Sequence, residues 1–189
     1  MQAKNATSIS ADALKTLDKM DDIDKVADNA EQFLTFIMAG EEYGVGILCV
    51  QEIRGWETAT PLPNAPPHIK GVINLRGTIV PIIDLRQCFG MESIEYTPVT
   101  VVIVLKVNTE KGVRVMGIVV DAVSDVYTLS ESDMRPAPDM GGATNTEIIR
   151  GLVNVDKKMV ILLDIDKLLT MEEIPNLNKL AEQLDESSN

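Results

Sequence analysis

Ile69-Lys70-Gly71-Val72-Ile73-Asn74 and Ile149-Arg150-Gly151-Leu152-Val153-Asn154 are two versions of one short stretch. Extended without a gap, the alignment brings Val80 onto Val160 and Asp84 onto Asp164. The apolar residues between them also correspond: Ile79 with Met159, Ile82 with Leu162, Ile83 with Leu163. Upstream a second unit repeats in the same order, with Gly44-Val45 on Gly117-Ile118 and Val50-Gln51-Glu52-Ile53 on Val123-Ser124-Asp125-Val126. Two matches in register, each pair separated by a Pro-containing loop, imply two copies of one small structure. Each copy holds about five short apolar runs, a number that closes into a barrel and so removes exposed strand edges. The expected fold class is mainly β, two five-stranded β-barrels in tandem.

The runs themselves are rich in Val and Ile and short, which favours strands over helices. Phe33 to Met38 reads as a strand, Ala39 to Glu42 as a turn and Tyr43 to Ile47 as the return strand. Val72 to Leu75, Arg76-Gly77 and Thr78 to Leu85 read as a hairpin with Gly in its tight turn. Pro81 in the second arm predicts an edge position or a bulge, because proline has no N–H to give to a ladder. Thr100 to Val107 and Val113 to Val120 are strands around a turn at 108–112, and Leu152 to Ile165 holds a last hairpin. Residues 54–70 read as a Pro-rich loop, and a long polar loop with Pro136 and Pro138 follows Val120. Residues 1–30 form an acidic arm whose apolar residues keep to no single helical face, read as disordered or weakly helical. At the other end Pro175 suits a first helical turn, and Leu177, Leu180, Ala181 and Leu184 give one apolar face, so a short C-terminal helix and tail is expected over 173–189.

The formal net charge is −12. Such a chain, with 4% aromatic residues, lacks both the basic footprint and the stacking platform of a nucleic-acid binder, and an acidic membrane surface repels it. Cys49 and Cys88 form no metal or redox motif and are expected as reduced, buried thiols. With no apolar leader at the N-terminus and no stretch long enough to span a bilayer, the chain reads as soluble and intracellular.

Catalytic chemistry is hard to place. The single histidine, His68, follows Pro66-Pro67 with no nucleophile beside it, and there is no phosphate-cradling glycine motif and no zinc spacing. Asp84 and Asp164 occupy matching places in two hairpins, which points to backbone hydrogen bonding rather than to a carboxylate pair. Asp121, Asp125 and Asp133 have no calcium-loop spacing. No cofactor and no metal are expected, and a binding module fits better than an enzyme. The copies differ at the hairpin turn, Arg76-Gly77 in the first and Asp156-Lys157-Lys158 in the second. A shared scaffold does not dictate that arginine, which makes Arg76 a candidate for work specific to the first copy.

Taken together, Glu42-Tyr43-Gly44-Val45, Val50-Gln51-Glu52-Ile53-Arg54, Ile69 to Gly77, Val80-Pro81-Ile82-Ile83-Asp84-Leu85-Arg86, Gly117 to Asp121, Val123-Ser124-Asp125-Val126 and Ile149-Arg150-Gly151-Leu152 resemble the CheW family of chemotaxis coupling proteins. The resemblance covers 31–172. It implies SH3-like barrels, the first over about 38–96 and the second over about 31–37 and 97–172. It implies a non-catalytic adaptor in the cytoplasm, recruited to membrane chemoreceptor arrays. There it would bind the cytoplasmic tip of a chemoreceptor and the regulatory domain of the CheA histidine kinase. Carried over by motif, Arg76 paired with Glu52, together with Val101, Gly117, Val123 and Val126 of the groove between the barrels, would bind the receptor. Val50, Ile53 and Gly71 would face the kinase.

Overall fold

The computed structural model describes residues 29–139, 141 and 146–170. The arm at 1–28 and the segment at 171–189, with the helix expected there, lie outside the described residues. Ten strands form two five-stranded sheets. In chain order they are β1 (Ala30–Met38), β2 (Glu41–Gly46), β3 (Val50–Gly55), β4 (Ile69–Leu75), β5 (Thr78–Asp84), β6 (Val101–Thr109), β7 (Gly112–Val120), β8 (Ala122–Ser130), β9 (Ile149–Val155) and β10 (Lys158–Leu163). Helix α1 (Leu85–Cys88) follows β5, and α2 (Ile165–Thr170) follows β10. The sheet orders are β3-β6-β7-β5-β4 for the first barrel and β8-β1-β2-β10-β9 for the second.

These orders reveal an exchange between the two copies. The first copy runs β1 to β5 and the second β6 to β10, yet the β1–β2 hairpin joins β8, β9 and β10 while the β6–β7 hairpin joins β3, β4 and β5. The limits drawn from sequence are therefore corrected. Residues 38–46 belong to the second barrel and residues 97–120 lead into and form part of the first, which is continuous from β3 to β7. The physical reason is that a repeat unit is not a closed unit here. Gly44 and Val50 stand in one sequence motif but in different sheets.

The register keeps the pseudo-symmetry in detail. Ile69 pairs with Ile83 and Gly71 with Ile82, with one bulge between; Ile149 pairs with Leu163 and Gly151 with Leu162 in the same way. The parallel ladders match as well, Ile82 on Gly117 and Leu162 on Gly44. Asp84 Oδ1 accepts the Gln87 N–H at 3.2 Å and Asp164 Oδ1 the Lys167 N–H at 3.1 Å, so both carboxylates cap the helix that follows their strand.

Three corrections concern single elements. Sequence had a loop after Val120, but β8 occupies Ala122–Ser130; likewise β3 runs to Gly55, into the segment read as a loop. Both strands lie at the end of their sheet with one pairing partner, so an apolar run, the usual sign of a strand, is not required of them. Pro81 is neither at an edge nor in a bulge. Its partner Val72 turns its own N–H and C=O to Thr60, and the ladder from β5 to β7 starts only at Ile82, so the missing N–H faces no acceptor in either ladder.

Burial explains why β6 reads as an unbroken apolar run. Val102 and Val104 point into the first barrel with Ile73, Val80, Ile82 and Val119, whereas Ile103, Leu105 and Val107 point into a core shared by both barrels. Strand β1 does the same from the other side. Phe33 fills the second barrel with Val153, Val160 and Leu162, while Leu34, Phe36 and Met38 enter the shared core with Ile118, Leu163 and Leu168. A strand covered on both faces needs no polar alternation. Fully burying one such Leu, Ile or Phe contributes about 1.5–3 kcal/mol, so the shared core joins the barrels strongly.

Candidate functional site

The hairpin between β4 and β5 turns through two residues, and both have left-handed backbones, Arg76 at φ +49° and Gly77 at φ +88°. Such a turn matches the strand twist and suits Asn or Gly; an arginine at its first position costs about 1 kcal/mol of backbone strain. Asn74 Oδ1 accepts the Gly77 N–H at 2.7 Å and holds the turn closed. Arg76 is thereby raised clear of the sheet, its side chain 72% exposed, and its Nη2 donates to Glu52 Oε2 on β3 at 2.7 Å. The pairing expected from sequence is thus present in the geometry.

Around it lie charges that the sequence reading did not include. Arg54, one turn of the β3 pleat from Glu52, places Nη1 3.9 Å from Glu52 and Nη2 2.8 Å from Glu57. The two-residue spacing of Glu52 and Arg54 on a strand was the available signal, since it puts both on one face. In the second copy the positions of Arg76 and Glu52 are held by Asp156 and Asp125, two acids that cannot pair. The second turn has the same left-handed geometry, Asp156 at φ +49° and Lys157 at φ +66°, so the ion pair is not a requirement of the hairpin.

The remaining candidates separate into open and enclosed positions. Val101 on β6 and Val123 on β8 are half-buried against the shared core, one from each barrel, and Val126 on β8 is 43% exposed. Gly117 is enclosed. A Cβ there would stand 2.5 Å from Ile82 Cδ1 and 3.0 Å from Val102 Cγ1, so it serves the packing of the first barrel. Gly71 is enclosed too, at φ +129° with Thr60 O only 2.0 Å from where a Cβ would be. Its place is where the backbone of residue 60 bridges β4, so any side chain there would run into main chain. Val50 packs on the shared core, while Ile53, paired with Ile103 beyond the bulge in β3, is 45% exposed.

The carboxylates and thiols considered for chemistry have local duties. Asp125 Oδ1 accepts the Val126 N–H at 2.8 Å and Asp133 Oδ2 the Ser130 N–H at 2.9 Å. Asp84 Oδ2 also takes the Tyr96 hydroxyl at 2.6 Å, and burial, then that bond, push the Tyr96 phenol up. Tyr96 in turn lies 4.2 Å from the Trp56 ring, pinning the segment after α1 to the first barrel. Both cysteines are half-buried rather than fully buried, and burial pushes the Cys49 thiol up to about 11. Among the described residues no group of His, Cys, Asp and Glu is arranged to hold a metal ion, and no helix is long and apolar enough to cross a membrane.

Comparison with known proteins places this geometry. Residues 32–173 match the model of the CheW-like domain. The chain is 49% identical over 151 residues to the chemotaxis protein CheW of Klebsiella aerogenes, covering 80% of this chain and 89% of that protein. It is 32% identical over 143 residues to the chemotaxis protein CheW of Bacillus subtilis, covering 75% of this chain and 88% of the other. The crystal structure of the scaffolding protein CheW from Thermoanaerobacter tengcongensis superposes with a TM-score of 0.66 at 29% identity, over 76% of this chain and 90% of that one. The two five-stranded sheets, the paired motifs and these relatives lead to one conclusion: the chain belongs to the CheW-like domain family of chemotaxis scaffold proteins.

Proposed function

We propose that the protein is a non-catalytic cytoplasmic adaptor that couples the cytoplasmic tips of chemoreceptors to the regulatory domain of the CheA histidine kinase. The observation that carries this reading is the Arg76–Glu52 pair, set on a turn whose backbone disfavours arginine and absent from the equivalent turn of the second barrel. An exposed pair of this kind adds at most about 1 kcal/mol to stability, so folding alone gives little reason for it. A receptor helix carrying a carboxylate would meet the exposed guanidinium, and Val101, Val123 and Val126 offer apolar contact between the barrels. Ile53, exposed on β3, gives the kinase a separate apolar foothold. Binding both partners at once raises their effective concentration for each other, so modest contacts add up to a stable array.

Co-sedimentation with receptor-containing membranes and purified kinase, with kinase autophosphorylation read in the same samples, tests this. Wild type is expected in the pellet with raised kinase output. Arg76→Ala should unfold at nearly the same denaturant concentration yet lose receptor binding at least about tenfold. Wild type that neither binds nor changes kinase output refutes the coupling role.

A further inference from the structure

The chain crosses between barrels twice, and the two crossings are related by the same pseudo-symmetry as the strands. In the alignment that places Val50 on Val123, Leu48 falls on Asp121; in the one that places Asp84 on Asp164, Arg86 falls on Asp166. At the first crossing Leu48 is 89% exposed beside a cleft of about 470 Å³, and Asp166, which lines the same cleft, accepts the Asn108 N–H at 2.7 Å and the Asn108 Nδ2 amide at 3.0 Å from β6. At the second crossing the seam is fastened. Asp121 Oδ1 lies 3.4 Å from Arg86 Nε on α1, which is attached to the first barrel. Asp121 Oδ2 accepts the Ala39 N–H at 2.8 Å from the β1–β2 turn of the second barrel, and the Asp121 N–H donates to Ile37 O at 3.1 Å.

We infer that Arg86 and Asp121 form a positioning pair that sets the angle between the barrels, and with it the receptor groove, without touching the receptor. Three observations support this. The pair occurs at one crossing and not at its equivalent, so closing the fold does not require it. The Arg86 Nε and Nη1 atoms are buried with no hydrogen-bond partner, and the side chain is 14% exposed. Its charge is therefore matched by the Asp121 carboxylate through distance rather than by a set of hydrogen bonds. Third, the joint abuts the groove. Val120, the residue before Asp121, is paired with Val101, and Val123 follows two residues later. A displacement at Asp121 moves Val123 of one barrel relative to Val101 of the other. The two crossings are fastened differently: hydrogen bonds from Asn108 hold Asp166 at the first, whereas a buried ion pair with unsatisfied donors sits at the second, next to the groove.

This inference rests on the adaptor reading for its functional consequence, but not for its structural one. The variants are Asp121→Asn, which keeps an oxygen for the Ala39 N–H but leaves Arg86 unmatched, and the double variant Arg86→Met with Asp121→Asn, which removes the unmatched charge. Residual dipolar couplings of the two sheets report their relative orientation, thermal unfolding reports stability, and sedimentation reports binding to receptor membranes and to kinase. Expected are changed couplings between the sheets, with those inside each sheet kept, in both variants. Receptor affinity should fall about tenfold in both, and kinase affinity should stay within about twofold. Recovery of stability in the double variant should not restore receptor binding. Unchanged couplings in the double variant, or receptor affinity that returns with stability, overturn the inference. If wild type itself binds no receptor, the adaptor reading fails, and the couplings alone still decide whether the pair sets the joint.

Discussion

At the scale of single residues, the two glycines that open the repeat motif show how equal letters do unequal work. Gly71 has φ +129° and Thr60 O within 2.0 Å of a would-be Cβ; at Gly151 that Cβ would meet Met134 Cβ at 3.2 Å and Arg135 O at 3.4 Å. Gly71→Ala therefore combines a disfavoured backbone with a clash against main chain and is expected to lower the unfolding free energy by about 3 kcal/mol or more. Gly151→Ala asks the segment at Met134 to give by only a few tenths of an ångström and should cost about 1 kcal/mol. Urea titrations of both variants check the difference, and equal losses would show that the close approach at residue 60 relaxes freely. Loss of kinase binding in a Gly71 variant would then be read as a rearranged 56–61 segment, not as a lost contact. Residue identities also made Arg76 legible in advance, because an arginine in a tight turn stands out against the Asp-Lys-Lys of the other copy; its partner Glu52 came only with the family resemblance. Arg86 and Asp121 were not legible as partners. They lie in different motifs, and only the crossing of the chain between barrels brings them to 3.4 Å.

At the scale of elements, hydrophobic pattern identified eight strands and missed β3 and β8, each at one end of its sheet. β6, apolar on both faces, reads plainly; β8, with a burial pattern that is mostly half-buried or exposed, does not. The parallel ladders give a sharper test of equivalence. At Gly117 a Cβ would meet Ile82 Cδ1 at 2.5 Å, and at Gly44 one would meet Leu162 Cδ2 at 2.8 Å. Both obstacles are side-chain ends inside a barrel, so Gly117→Ala and Gly44→Ala should each destabilise by about 1–3 kcal/mol. Companion truncations Ile82→Val and Leu162→Ala should recover part of that loss by opening room. Calorimetry of the four single and two double variants checks this; an absence of recovery would mean that backbone, not side chain, limits the space. A loss of receptor binding in Gly117→Ala is expected to follow stability, as befits a residue inside the barrel.

At the scale of the whole molecule, the shared core decides how the protein unfolds. Leu105 is fully buried among residues of both barrels, and Leu105→Ala should cost about 2–5 kcal/mol. Because that cluster belongs to neither barrel alone, both should melt in one transition. Fluorescence of Trp56, beside the first barrel core, and the ring signals of Tyr127, beside the second, should trace the same curve in wild type and variant. Two separated midpoints would show barrels that stand independently. Sequence repetition announced two barrels but not which strands compose each, since the motifs are silent about the exchange of hairpins. That exchange also sets an order in time. The first barrel is a continuous stretch and is complete as soon as β7 has left the ribosome, whereas β2 must wait for β10, whose Val160 pairs with Glu42. At about 5–20 residues per second, the earliest-made hairpin spends on the order of ten seconds without its parallel neighbour. With Phe33 lacking Val153, Val160 and Leu162 during that interval, this hairpin needs a chaperone's shelter more than the first barrel does.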